Sequence, residues 1–184
     1  MMRLLYIVLI LITTLFGEAQ QSNIYFKVGW GIDNLSYLQA GNSTSSKSSS
    51  MQNVEIGYDI NLVRLSTFIK SGQDTVPNDT VTRIGYKLGF TTKNIINIVL
   101  KPVRVVPVLT LNSSYFGLQS NSNLSGNAIG ASLLFDIHFD NYEFIALYVE
   151  YEYERSAIYD SQDASTDFYK VDSNLLAFGF SVIF

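Results

Sequence analysis

Residues 174–184 read NLLAFGFSVIF and close the sequence on a phenylalanine. An extended chain sends successive side chains to opposite faces. Leu176, Phe178, Phe180, Val182 and Phe184 then share one face, and Leu175, Ala177, Gly179, Ser181 and Ile183 share the other. The first face is bulky and wholly apolar; the second is mostly small. Apolar spacings of three and four, which a helix would need, do not run through it. Chain ends are usually polar and frayed, so an apolar strand here predicts an end held against something apolar.

The same alternation recurs through the sequence. Ile24, Phe26, Val28, Trp30 and Ile32 alternate with Tyr25, Lys27, Gly29, Gly31 and Asp33. Val54, Ile56 and Tyr58 alternate with Asn53, Glu55, Gly57 and Asp59, and Val63, Leu65, Thr67 and Ile69 with Arg64, Ser66, Phe68 and Lys70. Ile84 to Phe90 and Ile129 to Ile137 repeat the pattern. So does Ile145 to Tyr153, which sets Phe144, Ala146, Tyr148, Glu150, Glu152 and Glu154 on the polar face. Val105 to Tyr115 is less regular. Its Pro107 predicts that the strand starts after the proline or carries a bulge there, because proline cannot donate to a ladder. About eight strands result, an even number, as a bacterial single-chain membrane barrel requires. In the seven regular strands the bulky face carries no charge, and the other face carries the glycines and almost all the strand charges.

The connections alternate in length. Asn34–Met51, Gln73–Thr80, Gly117–Gly126 and Ser156–Asp172 are expected loops; Ile60–Leu62 and Phe139–Asn141 are tight turns. Thr92–Pro102 carries the apolar IINIVL, too long for a turn, and is expected as a strand extension or a short surface helix. Short turns on one rim and long loops on the other are a habit of membrane barrels. The parity assigns the short turns and Phe184 to the periplasmic rim. Phe26, Tyr58 and Phe90 fall near that rim, with Tyr142. Trp30, Tyr151 and Tyr153 fall near the outer one, with Tyr115. Together they are an expected aromatic girdle.

Composition agrees. Charged residues make up 15% of the 184-residue chain, against about 25% in soluble domains. The net charge of −4 excludes a nucleic-acid footprint. Absence of cysteine excludes disulfides and thiolate metal sites. Met1–Ala19, with Arg3 before the apolar run Leu4–Phe16, reads as an export signal too short to span a membrane. Residues 20–184 remain as one domain.

An eight-stranded barrel is just wide enough for side chains to fill. Its expected lumen charges are Lys27, Glu55, Arg64, Arg83, Lys87, Asp136, Glu150 and Glu152, with Asp59, Lys70 and Arg104 on the same faces. Both signs are present, so they are expected to pair across the lumen, since an unpaired buried charge is costly. His138, the single histidine, shares a face with Asp136. No serine is placed beside them by sequence, so no nucleophile–base–acid constellation is read. Asp160, Asp163 and Asp167 lack the spacing of a calcium-binding EF-hand loop. No catalytic, cofactor or metal residue is assigned.

The opening IYFKVGWGI, the strand IGYKLGF and the closing AFGFSVIF resemble the small outer-membrane β-barrel proteins of OmpA/OmpX type, in the form common in Bacteroidetes. The resemblance is one of architecture and covers Ser22 to Phe184. It implies a monomer in outer-membrane lipid, and a terminal strand (Phe180, Val182, Phe184) read by the barrel-assembly machinery. Two other readings use the same pattern. A soluble lipocalin-like barrel would turn the apolar face inward around a ligand; low charge and luminal glycine speak against it. A lipid-modifying outer-membrane enzyme stands third. The expected function is structural or surface interaction through the long loops.

Overall fold

The computed structural model describes residues 23–39, 42–74, 79–92, 98–118, 124–160 and 169–184. The predicted export signal, Met1–Ala19, lies outside them, as do the centres of the four long loops. The described residues form β1 (Asn23–Gln39), β2 (Asn42–Ile60), β3 (Val63–Asp74), β4 (Asp79–Thr91), β5 (Ile98–Leu100), β6 (Val103–Leu118), β7 (Leu124–Phe139), β8 (Tyr142–Asp160) and β9 (Tyr169–Ile183). All pairings are antiparallel. Eight strands close in up-and-down order, with β4 paired to β6 and β9 paired back to β1. The three-residue β5 is an appendage on β6.

The register fixes the barrel's shape. A row of partners starts at Ile24 and passes Tyr58, Leu65, Leu88, Leu111, Ala131, Tyr153 and Asn174. It returns to β1 at Asn34, ten residues beyond its start. Eight strands with that stagger tilt by ~40° and give a backbone radius of ~8 Å, from the strand spacing and rise. A cylinder that narrow has room for side chains and little else.

Outside and inside differ as the alternation predicts. Ile, Leu, Phe and Tyr of the bulky faces line the outer wall, and the charged residues of the other faces are buried, apart from Asp59 and Arg104, which are half-buried at the turn rim. The outer wall changes character toward the loop-side end of every strand. Moving toward the loop rim, Ile32 gives way to Asn34, Val54 to Gln52, Ile69 to Ser71 and Ile84 to Thr82. Likewise Leu111 gives way to Ser113, Ile129 to Asn127, Tyr153 to Arg155 and Leu176 to Asn174. Below those positions the wall is apolar down to the turn rim except for Thr67, whose hydroxyl donates to the Gly85 carbonyl.

Several sequence expectations are corrected. Asn34–Met51 is not a loop from end to end: β1 and β2 stay paired as far as Gln39 and Asn42. The other long connections are shortened in the same way, with β8 running to Asp160 and β9 starting at Tyr169. Backbone ladders need no apolar side chains, so the strands continue above the apolar band with polar residues outward. Pro107 neither starts its strand nor carries a bulge; the β6–β7 register runs through it to Phe135. Its carbonyl accepts from the Thr92 backbone N–H at 3.2 Å, so its nitrogen faces that same side. There β4 has ended and β5 has not begun, and no ladder donor is required. Phe144 was expected inward and is exposed, because the β7–β8 register shifts between His138 and Phe139. Residues 98–100 of the IINIVL segment form the strand extension; 93–97 lie outside the described residues.

The luminal glycines are sockets. Gly57 lies opposite Tyr25, Gly179 opposite Tyr148 and Gly85 opposite Phe68. A Cβ on Gly57 would collide with the Tyr25 ring. Gly57→Ala is therefore expected to cost roughly 1–3 kcal/mol by overpacking. Urea unfolding in lipid vesicles should also show Gly57→Ala and Tyr25→Leu to be strongly non-additive. Simple additivity would refute the socket.

Candidate functional site

The lumen holds the chain's concentrated chemistry, in tiers set by the strand register. Nearest the turn rim, Arg64 of β3 donates through Nε and a terminal nitrogen to both oxygens of Asp59, at 2.6 and 2.8 Å. Its other terminal nitrogen donates to Asp136 of β7 at 2.7 Å. The guanidinium lies 4.5 Å from the centre of the Tyr25 ring, and the Tyr25 hydroxyl donates to Glu55 at 2.7 Å. One planar fork thus joins three strands, a geometry lysine could not supply.

The middle tier is built from lysines and glutamates. Lys87 of β4 sits among three carboxylates: Glu150 at 2.5 Å, Glu152 at 3.1 Å and Glu55 at 3.2 Å. Lys70 of β3 pairs with Glu152. Lys27 of β1 lies 3.7 Å from Glu55 and 4.0 Å from Asp136, with its ammonium over the rings of Tyr25 and Tyr148. Ser132 donates to Glu150 at 2.5 Å. All six ionised side chains of this tier are buried.

The third tier centres on Arg83 of β4. It donates to Asp33 of β1 at 2.6 Å, and to Glu154 of β8 and Ser173 of β9 at 2.8 Å each. Ser173 in turn donates to Asp33 at 2.7 Å. One inward step above this tier the lumen turns apolar. Leu35, Val81, Phe116, Ile158 and Val171, from five strands, form a buried cluster that caps the charged interior on the loop side.

Every lumen charge expected from sequence except Arg104 lies in these tiers. The structure adds Asp33 and Glu154, the two acids that hold Arg83. Their signal was already present, since both stand on the polar faces of their strands, Glu154 completing the column Glu150–Glu152–Glu154. Arg104 is half-buried at the turn rim, opposite His138. His138 stands two residues from Asp136, whose carboxylate is already engaged by Arg64. Of the expected girdle, Phe26, Trp30, Tyr58, Phe90, Tyr151 and Tyr153 all face outward and are exposed. The Trp30 ring meets Phe178 edge-on, 5.4 Å between centres. Phe180 and Phe184 face outward too, and Val182 is half-buried. The Phe184 N–H donates to the Ile24 carbonyl at 2.8 Å, so the terminal residue continues the closing seam. Above the apolar band, Arg155 donates to both oxygens of Asp172 at 2.7 and 3.1 Å. These hydrogen bonds hold the Asp172 carboxyl below its ordinary range.

No helix among the described residues is long and apolar enough to cross a membrane. No group of three or more metal-ligating side chains is brought together among them.

No family model and no curated protein matches the chain. Solved structures do. Neisserial surface protein A is 18% identical with a TM-score of 0.52, over 86% of this chain and 97% of that one. The outer membrane protein OprG from Pseudomonas aeruginosa is 14% identical with a TM-score of 0.46, over 90% and 97%. The outer membrane enzyme PagL is 7% identical with a TM-score of 0.45, over 83% and 98%. At these identities the likeness concerns fold alone: the chain has the eight-stranded antiparallel barrel of small outer-membrane proteins.

Arg83 allows a direct test of the network. Arg83→Met leaves Asp33 and Glu154 buried and uncompensated, which is expected to cost roughly 3–5 kcal/mol. Adding Asp33→Asn and Glu154→Gln should restore most of it. Urea unfolding in vesicles measures both. A single Arg83→Met as stable as the parent would remove the network as a structural element.

Proposed function

We propose that this chain is an integral outer-membrane barrel of the OmpA/OmpX type, with a structural or surface-interaction role carried by its long loops. The observation that supports it best is the polarity of the wall. Apolar side chains face out on all eight strands, and each strand changes to polar residues toward its loop-side end. A soluble ligand-binding barrel needs the reverse, an apolar pocket and a polar exterior. Shape and wall polarity together suit a bilayer, in which a closed barrel leaves no backbone group unpaired.

The lumen supports a non-conducting, non-catalytic reading. Its acids and bases are engaged with one another across the barrel, and the apolar cap above Arg83 interrupts any hydrated path. Phe180, Val182 and Phe184 are suited to act as the assembly signal, because they lie along the seam where the last strand closes on the first. The aromatic positions named above suit the two interfaces. Met1–Ala19 is read as the cleaved export signal, and the chain as a monomer needing no cofactor.

Fractionation tests this first. The protein is expected in the outer-membrane fraction, with a mobility shift on boiling before electrophoresis. Recovery as a soluble periplasmic protein would overturn the reading. In planar bilayers the purified barrel should give no steady conductance, and a stable open channel would refute the filled lumen. A lipid-hydrolysing activity abolished by His138→Ala would favour the enzyme reading instead.

A further inference from the structure

We propose that the hairpin formed by β5 and the start of β6 is an interfacial anchor that seats Ile98, Val99 and Leu100 at the headgroup–acyl boundary of the phospholipid leaflet on the turn side. The inference rests on the membrane reading above and adds a specific lipid contact to it. Ile98, Val99 and Leu100 are 46%, 56% and 65% exposed, yet nothing about their backbone is loose. They pair with Val105, Arg104 and Val103. The Asp140 N–H of the neighbouring turn donates to the Pro102 carbonyl at 3.0 Å. This is an ordered ribbon that displays apolar side chains.

Its direction identifies what covers it. Ile98 and Leu100 lie opposite Val105 and Val103, so they share the outward face that continues through Pro107 to Leu109. The hairpin therefore extends the lipid-facing wall instead of starting a separate patch. With the tilt found above, each residue advances ~2.5 Å along the axis, and the hairpin reaches roughly 10 Å beyond the level of Ile24. That depth is the headgroup zone, given a hydrocarbon core flanked by several ångströms of polar region on each side. Tyr142 and Phe144, at the start of β8 on the same rim, are both exposed and 6.5 Å apart edge-on. Lys101, exposed at the hairpin tip, is a cation where lipid phosphates lie. The other two connections on this rim differ. Ile60–Leu62 is half-buried, and Asp140–Asn141 is polar. In water, three exposed aliphatic residues on both faces of a ribbon would bring no gain; at the interface their burial is favourable.

The absence of cysteine makes spin-label depth measurement direct. Single-cysteine variants Ile98→Cys and Leu100→Cys, nitroxide-labelled, would be placed in phosphatidylethanolamine–phosphatidylglycerol vesicles. Tyr86→Cys on the wall and Asn141→Cys in the polar turn serve as references, each checked for folding by its shift on boiling. Labels at 98 and 100 should collide with oxygen in preference to a water-soluble nickel chelate. Their oxygen-to-nickel ratio should exceed that at 141 several-fold and lie between the values at 141 and 86. Values at 98 and 100 equal to that at 141, with 86 still lipid-like, would overturn the anchor while leaving the membrane barrel intact. They would place the hairpin in water. Nickel access at 86 as well would overturn the membrane reading itself. Lys101→Glu should move the label at 100 toward water only in vesicles containing the anionic lipid; an equal effect without it would refute the phosphate contact.

Discussion

Closure of β9 against β1 is the constraint on which the rest of this molecule depends. In hydrocarbon, each backbone N–H and C=O must be paired within the protein, and an open sheet would leave two edges unpaired. The closing register fixes stagger, tilt and radius together. Because the resulting cylinder is narrow, every inward side chain meets others from across the lumen. The terminal Phe184 takes part directly, its N–H bonded to Ile24.

That narrowness explains the interior chemistry. A cavity filled by aliphatic residues would compete with the outer wall for the same kind of side chain and blur the distinction between the two faces. Charges in the lumen define the inward face without ambiguity, at the cost of their desolvation. The chain offsets that cost by giving Arg64 and Arg83 two carboxylates each, on different strands, and by placing Lys87 among three glutamates. These contacts tie β3 to β7, and β4 to β1, β8 and β9, strands that share no ladder. Glycines opposite Tyr25, Tyr148 and Phe68 provide the space that large luminal side chains need. Polar and aromatic residues are thus used together, the aromatics filling volume that ion pairs alone would leave open.

Above the apolar ring the same strands change role. Their ladders persist, but the outer residues are mostly polar, among them Asn34, Gln52, Ser71, Thr82 and Arg155, and the inner ones form the apolar cap. On the membrane reading proposed above, this inversion matches a change of medium, from lipid outside to water outside. Below the ring no such change occurs before the turn rim, where the β5–β6 hairpin carries the apolar surface further still.

Much of this was legible in the sequence, because a strand's side-chain period is two and each face meets a single environment. The alternation of Ile24–Asp33 or of Ile145–Glu154 determined strand, facing and the sign of the interior. The parity of the connections determined the up-and-down order. The partners were not legible. Nothing local in Arg83 names Asp33, Glu154 and Ser173, because those contacts cross the lumen and depend on a stagger of ten accumulated over eight strands. Strand ends were misjudged wherever Ser and Asn continued a ladder held by backbone bonds, as at Asn34–Gln39. Pro107 was misread because its tolerance comes from the gap left between β4 and β5, and Phe144 because a local register shift breaks the period. One-dimensional pattern determined which face each residue belongs to; only the closed tertiary structure decided which residues meet, since closure sets distances that no single strand contains.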